Sequence, residues 1–224
     1  MPAPAVAIRL QNVSKYYKLY DSKRDRFREA FDLRRRKRHH EFYALRGIDL
    51  EVRKGEILGI VGRNGAGKST LLKILSGVIQ ANSGRVEVNG RISALLELGS
   101  GLNPNLDGIQ NIYFGGIMMG FSREEMKRRM DEIVAFADIG EFINQPMRTY
   151  SSGMRARLGF ALAVNVSPDI LIVDEVLSVG DELFRRKCYA KMEAIMDAGC
   201  TVLFVSHNSN AINQFCSRVA QLDN

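Results

Sequence analysis

A glycine-rich segment between an apolar run and a helical run limits the folds open to this chain. The segment 62–69 reads GRNGAGKS, and it follows the β-type apolar run 56–61. The stretch 69–75 behind it has the pattern of a helix. A strand, a tight loop and a helix in that order form the first half of a βαβ unit, in which the strands lie parallel. The segment therefore predicts an α/β protein.

The rest of the chain extends this pattern. Two further apolar, β-rich runs at 169–174 and 201–205 flank a helical stretch at 182–196, which predicts a parallel core sheet. Three alternating stretches predict an antiparallel β layer: 6–10, 48–52 and 85–89. A helical insertion lies between the two predicted sheets. SREE at 122–125 has capping-box form before apolar residues at helical spacing, so 122–138 is predicted to be helical.

The glycine segment also has the Walker A pattern of a phosphate-binding loop. Glycines let backbone N–H groups close around a phosphate chain that a Cβ would obstruct. Lys68 is predicted to neutralise β- and γ-phosphate oxygens, and Ser69 to bind Mg²⁺. The predicted nucleotide contacts in this segment are Gly62, Asn64, Gly65, Ala66, Gly67, Lys68, Ser69 and Thr70.

Two carboxylates follow the apolar run 170–173, which is the position of a Walker B element at the carboxyl edge of a parallel sheet. Asp174 would hold Mg²⁺ through water, and Glu175 would polarise the attacking water as a general base. An exposed acidic turn is the alternative for such an ending taken alone. The phosphate loop upstream favours the catalytic interpretation.

The pentapeptide YSSGM at 150–154 begins a helical run. Taken alone, Ser151 would be explained as an ordinary helix N-cap. In position, order and spacing, however, the pentapeptide resembles the signature motif of ATP-binding cassette (ABC) ATPases, usually written LSGGQ. The resemblance covers about residues 8–222. It implies a P-loop ABC-type fold, with a helical subdomain at about 100–165 inside a single nucleotide-binding domain, 1–224.

The resemblance also implies roles for residues outside the loop. Asp181 matches the D-loop, and His207 matches the switch histidine that would contact the γ-phosphate. Lys68, Glu175 and His207 would then be catalytic, with ATP and Mg²⁺ bound. Ser151 and Gly153 would face the γ-phosphate held by a second copy, so two copies would close head to tail beneath a transmembrane permease.

The sequence departs from the family pattern at several positions. Ser152 and Met154 replace a glycine and the glutamine of the signature. No glutamine stands in the expected Q-loop, so Glu97 is its nearest counterpart and an expected Mg²⁺ ligand. Tyr17 is preferred over Tyr43 as the aromatic residue that stacks on adenine.

Four segments narrow the subfamily: YSSGM, SVGD at 178–181, LLELGSG at 95–101 and YALR at 43–46. They resemble the ATPases of bacterial polysaccharide exporters, those for O-antigen, capsule and teichoic acid. That resemblance implies a lipid-linked glycan as cargo. It further implies a peripheral position on the cytoplasmic face of the inner membrane, which fits a start without the features of a signal peptide.

Positive charge is concentrated in a basic insertion, 18–42. Residues 18–40 hold ten Lys or Arg against four Asp or Glu, which nearly accounts for the net charge of +7. Tyr20, Phe27 and Phe31 lie at helical spacing, which predicts an amphipathic basic helix. The five basic residues 34–38 could attract an anionic membrane surface or the pyrophosphate of the cargo. The alternative is a solvated face held down by the two phenylalanines.

Other functional classes remain as alternatives. A pI of 9.4 suggests a soluble ABC-type ATPase acting on nucleic acid, although the long coiled coil and second cassette of such relatives are absent. Nucleic acid is therefore not an expected partner. A small-molecule kinase would not need the signature.

Cys188, Cys200 and Cys216 lack metal-site spacing and are predicted to be reduced packing thiols. The chain could also be truncated, because a cassette normally continues beyond residue 222.

Overall fold

The computed structural model describes residues 5–31, 39–95, 101–173, 181–205, 212 and 215–223. The strands in chain order are β1 (Val6–Leu19), β2 (His40–Arg53), β3 (Ile57–Val61), β4 (Ser83–Val88), β5 (Ile92–Ala94), β6 (Ile170–Val173), β7 (Thr201–Val205) and β8 (Arg218–Gln221). The helices are α1 (Lys23–Phe31), α2 (Lys68–Leu75), α3 (Gly108–Met118), α4 (Arg123–Ala137), α5 (Ser152–Asn165) and α6 (Glu182–Asp197).

The chain divides into two compact units. The parallel-sheet unit comprises Met1–Ala7, Val52–Val61 and Asn89–Gln221, and the antiparallel-sheet unit comprises Ile8–Glu51, Gly62–Val88 and Leu222–Asn224. Each unit contains one sheet in the described residues, of five strands and three strands respectively.

The sheet of the parallel-sheet unit has the strand order β5-β6-β7-β3-β8. Every pairing along it is parallel, as predicted for 56–61, 169–174 and 201–205. The residues of β6 and β7 are fully buried, which explains why these strands read as continuous apolar runs instead of alternating ones.

The helices of this unit begin at side-chain caps that the sequence encodes. At the start of α4, Ser122 accepts a hydrogen bond from the Glu125 N–H, and the Glu125 carboxylate accepts one from the Ser122 N–H at 2.7 Å. The Ser122 N–H, together with the Arg91 guanidinium, lowers the pKa of Glu125 to about 2. The predicted helix 122–138 is therefore confirmed. Within the described ranges, none of the helices has both the length and the apolar composition needed to span a bilayer.

The antiparallel-sheet unit has the strand order β2-β1-β4, and β1 pairs antiparallel with β4 with Ile8 opposite Val88. The predicted antiparallel layer is confirmed, and its strands β1 and β2 are longer than the predicted stretches. The glycine-rich segment and α2 belong to this unit, directly after β3 in the chain.

Helix α1 lies in the basic insertion and is held by polar contacts. The Glu29 carboxylate lies 2.7 Å from Nδ1 of His39, whose side chain is 2% exposed, and it accepts a hydrogen bond from the Tyr20 hydroxyl. Phe27 and Phe31 are 68% and 81% exposed. The alternative in which these two phenylalanines hold the helix down is therefore wrong.

The three cysteines are free thiols, in agreement with the sequence prediction. Burial raises the pKa of Cys188 to about 12 and that of Cys200 to about 11. A thiol with such a pKa is protonated at neutral pH, and it is a poor nucleophile and metal ligand. The cysteines are packing residues.

Candidate nucleotide-binding site

The loop between β3 and α2 has the backbone form of an anion site. Gly67 is the N-cap of α2, in the left-handed region with φ of 95°, and it has no side chain with which to cap the helix. The first N–H groups of a helix have no partner within the helix, so those of α2 are open to a ligand. Because the helix dipole also favours negative charge there, this end of α2 suits a phosphate.

Lys68 adds a cation to the same loop. Its ammonium group donates hydrogen bonds to the carbonyl oxygens of Gly62 at 2.7 Å and Arg63 at 3.1 Å. The side chain thus folds back across the loop and keeps its positive charge there. Ser69 and Asn64 are exposed, whereas Ala66 is buried beneath the loop and Thr70 is half-buried.

Two of the loop glycines are required by the fold itself. A Cβ on Gly67 would collide with the carbonyl oxygen of Ala44, and a Cβ on Gly62 would lie 2.6 Å from the carbonyl oxygen of Leu222. Gly65 has φ of 88°, but no atom of the described residues beyond its chain neighbours lies within 4 Å of an added Cβ. The loop therefore combines backbone crowding at its ends with open space at its centre.

This difference makes a matched pair of substitutions informative. Gly67→Ala combines left-handed strain with a backbone collision and should lower the free energy of unfolding by more than about 2 kcal/mol. Gly65→Ala carries the strain alone and should cost about 1 kcal/mol. Urea unfolding followed by circular dichroism measures both. Equal costs would contradict the crowding seen at Gly67.

The aromatic residues of β1 and β2 differ in how free their rings are. The Tyr43 ring contacts the Arg46 guanidinium at 4.4 Å and the Tyr16 ring at 5.4 Å. Tyr17 is 42% exposed, and its ring lies 5.5 Å from the Lys15 ammonium. A base needs a free ring face on which to stack, so this geometry keeps Tyr17 as the proposed adenine contact.

Several predicted residues lie outside the described residues: Glu97, Asp174, Glu175 and His207. The described strands next to them do have a common geometry. Val173 of β6 pairs with Phe204 of β7, and Ile60 of β3 pairs with Val205 of β7. The three adjacent parallel strands therefore end at the same edge of the sheet, where ligands of open α/β sheets bind.

The start of α5 is a second candidate phosphate contact. Ser151 is the N-cap of this 14-residue helix and accepts a hydrogen bond from the Met154 N–H at 3.2 Å. The first turn carries no acidic residue. Among the described residues outside its own helix backbone, a Cβ on Gly153 would come within 4 Å of the Ser151 hydroxyl alone, at 3.8 Å. The described packing around position 153 therefore leaves room for a Cβ.

Asp181 lies at the start of α6, where its side chain accepts a hydrogen bond from the Phe184 N–H at 2.8 Å. Arg157 of α5 donates a second hydrogen bond to the same carboxylate at 2.6 Å. The Phe184 N–H and the charge of Arg157 lower the pKa of Asp181, so this carboxyl is ionised at neutral pH. No local sequence pattern identifies Arg157, because residues so far apart in the sequence meet only through helix packing.

These features define a class of protein: an α/β fold in which a glycine loop follows a strand of a parallel sheet and leads into the open N-terminus of a helix. The structure superposes on the dimeric ATP-binding cassette MJ0796, bound to ADP and Pi in a post-hydrolysis state, with a TM-score of 0.74 at 24% identity. That match covers 96% of this chain and 94% of the other. The fold is the ABC type of P-loop fold.

The chain belongs to the ABC transporter family, whose sequence model matches residues 45–178, more than half of the chain. It is 47% identical over 215 residues to the teichoic acids export ATP-binding protein TagH of Bacillus cereus (strain ZK / E33L). It is 52% identical over 180 residues to the O-antigen export system ATP-binding protein RfbB of Myxococcus xanthus.

These alignments cover most of this chain but a minor part of each relative. They include 96% of this chain and 39% of the TagH protein, and 80% of this chain and 41% of the RfbB protein. The chain thus spans about two fifths of the length of these two relatives.

Proposed function

We propose that this chain is the ATP-hydrolysing subunit of an exporter of lipid-linked polysaccharide. The observation that carries the proposal is the loop ending in Gly67 and Lys68, which offers a helix start without a side-chain cap and a cation to a phosphate chain. Two relatives that are 47% and 52% identical in sequence to this chain are named for export of teichoic acids and O-antigen, which supports the proposed direction of transport and class of cargo.

In this proposal the loop residues divide the work of binding. Backbone N–H groups at the start of α2 hold the phosphate oxygens, and Lys68 turns from the Gly62 carbonyl to the β- and γ-phosphates. Mg²⁺, when bound, would neutralise charge that develops on the transferred phosphoryl group. The exposed hydroxyl of Ser69 fits this ion as a ligand. Asp174 and Glu97 are the further ligands that we propose.

The remaining chemistry is assigned to residues after the ends of β6 and β7. Glu175 accepts a proton from the attacking water, and His207 holds the γ-phosphate and the water in line. Two copies close head to tail, so that Ser151 and Gly153 at the start of one α5 meet the nucleotide of the other copy. Asp181 contributes from the adjacent α6. Loss of the γ-phosphate contacts after hydrolysis then reopens the dimer.

The proposed membrane partner, a transmembrane permease, would contact α3. Phe114, Ile117 and Met118 on this helix are 40%, 53% and 73% exposed, although Ile112 and Gly116 are buried. Methionine and glycine give a surface that adapts to a partner helix. The subunit would work at the cytoplasmic face of the inner membrane, as a single nucleotide-binding domain with an inserted basic segment, 18–42, and a helical subdomain, about 100–165.

A pair of variants at Gly153 tests the proposed hydrolysis. Because the fold leaves room at this position, Gly153→Ala and Gly153→Asp should both keep the melting temperature of the parent chain. Gly153→Asp places a carboxylate where a phosphate should approach, so it should reduce phosphate release from Mg-ATP about tenfold or more. Gly153→Ala should have the smaller effect. Equal rates in all three chains, or no phosphate release by the parent chain, would reject the proposal.

The basic insertion is proposed to touch the anionic surface of the same membrane. The exposed Phe27 and Phe31 lie one turn apart on α1, beside the exposed cations Lys23, Arg24 and Arg28. Exposed aromatic rings between cations are typical of a helix that lies at a lipid interface. The basic residues 34–38 lie outside the described residues and would add to the attraction.

Vesicle sedimentation tests this contact. Replacing both phenylalanines with serine should weaken binding to vesicles of phosphatidylglycerol and phosphatidylcholine about tenfold or more. The reason is that the apolar surface that each ring would bury in the lipid is lost. Phe142→Ser, at a ring of the parallel-sheet unit that is 48% exposed, is the control for loss of an exposed aromatic ring. Equal binding of the parent chain to vesicles of phosphatidylcholine alone would contradict an electrostatic contact.

A further inference from the structure

Three helix ends meet at one arginine in the parallel-sheet unit. Arg157, in the second turn of α5, is 19% exposed in its side chain. One of its nitrogens donates to the Asp181 carboxylate at the start of α6, and the other donates to the carbonyl oxygen of Asp138 at the end of α4, at 3.1 Å. The guanidinium also lies 4.7 Å from the centre of the Phe184 ring. A single side chain therefore links α4, α5 and α6.

The partners of Arg157 are themselves fixed. Asp181 uses its two oxygens separately, because Oδ1 accepts from the Phe184 N–H while Oδ2 accepts from Arg157. Below this polar junction the rings of Phe136, Phe160 and Phe184 form a cluster with centroid separations of 5.9–6.2 Å. Phe160 follows Arg157 by one turn of α5. A charged contact above an aromatic cluster resists both sliding and rotation of α5 against α6.

We infer that Arg157 is a positioning residue that fixes the start of α5 relative to the start of α6, so that Ser151 and Asp181 reach a second copy's nucleotide together. The inference rests on the proposed function. Ser151 precedes Arg157 on the same helix by six positions, which is about 9 Å along the axis. Small rotations at Arg157 therefore move the Ser151 hydroxyl. A phosphate contact that is misplaced by about 1 Å loses much of its effect, so the position that Arg157 gives to Ser151 matters for the rate.

Lysine cannot replace this arginine. The site requires N–H groups that point in two directions and a planar group over the Phe184 ring, whereas an ammonium offers a compact charge without a plane. Arg157→Lys therefore keeps the charge and removes the geometry. Asp181→Asn is the complementary change, because the amide oxygen can still cap α6 while the ionic contact with Arg157 is lost.

The experiment measures ATP-driven dimerisation by light scattering in the Glu175→Gln background, and phosphate release in chains with Glu175 intact. Arg157→Lys and Asp181→Asn should each raise the protein concentration needed for the ATP-bound dimer about tenfold and lower kcat about as much, with binding of a fluorescent ATP analogue to the monomer unchanged. If the two residues act as one unit, the double variant should lose no more dimerisation and kcat than the more impaired of the two single variants. Arg186→Ala, which breaks an exposed pair with Glu182, is the control and should change neither quantity.

Each result has one meaning. If both variants melt at a lower temperature but keep normal dimerisation and kcat, Arg157 is only a stabilising residue and the inference is overturned. Normal behaviour of both variants would also overturn it, while leaving the proposed function intact. A parent chain that neither binds nor hydrolyses ATP would reject the proposed function and this inference together.

Discussion

Replacing Lys68 with alanine is expected to lower ATP hydrolysis about a hundredfold or more, which is the scale of losing one preorganised charge at a phosphoryl-transfer site. The structure gives the reason. The ammonium group is held at the loop by the carbonyl oxygens of Gly62 and Arg63, so it is already next to the N-terminus of α2 where phosphate would bind. Phosphate release and binding of a fluorescent ATP analogue would be measured together.

The control for Lys68→Ala lies on the same helix. Lys73 is in the last turn of α2, at the end opposite the loop. Lys73→Ala removes the same charge from the same helix, and hydrolysis should change by no more than about threefold. If both alanine variants kept the parent rate, Lys68 would have no part in catalysis and the proposed phosphate site would be wrong.

Glu175→Gln is expected to stop hydrolysis while preserving ATP binding. The amide has the size of the carboxylate but cannot accept a proton from water, so the rate should fall about a hundredfold or more. Because the γ-phosphate then stays in place, ATP should hold two chains together. Size-exclusion chromatography with light scattering would detect a dimer that forms with ATP and is absent with ADP.

A different outcome at Glu175 would be informative. A variant that hydrolyses ATP at the parent rate would show that another group acts as the base. A variant that binds ATP yet remains a monomer would separate catalysis from dimerisation. Glu182→Gln, at an exposed glutamate of α6, is the matched control and should behave as the parent chain.

The features that could be predicted from sequence are those that local chemistry determines. The capping box SREE at 122–125 placed the start of α4 at its observed position, and continuous apolar runs marked β6 and β7 because both strands are buried on both faces. The glycine loop was equally clear, since left-handed backbone at Gly65 and Gly67 demands glycine.

The features that could not be predicted depend on packing between distant segments. Arg157 has no local signal, because its partners Asp138 and Asp181 come from other helices. The direction of Phe27 and Phe31 is a second feature of this kind. Helical spacing shows that the two rings share a face, but the buried contact of Glu29 with His39 turns that face outward.

The measurement that tests the central claim most directly is the ATPase rate per chain as a function of protein concentration. If each site is completed by Ser151 and Gly153 of a second copy, the rate per chain should rise with concentration, and an ATP-dependent dimer should appear over the same range in light scattering. A rate per chain that stays constant while the protein remains a monomer would contradict a site shared between two copies.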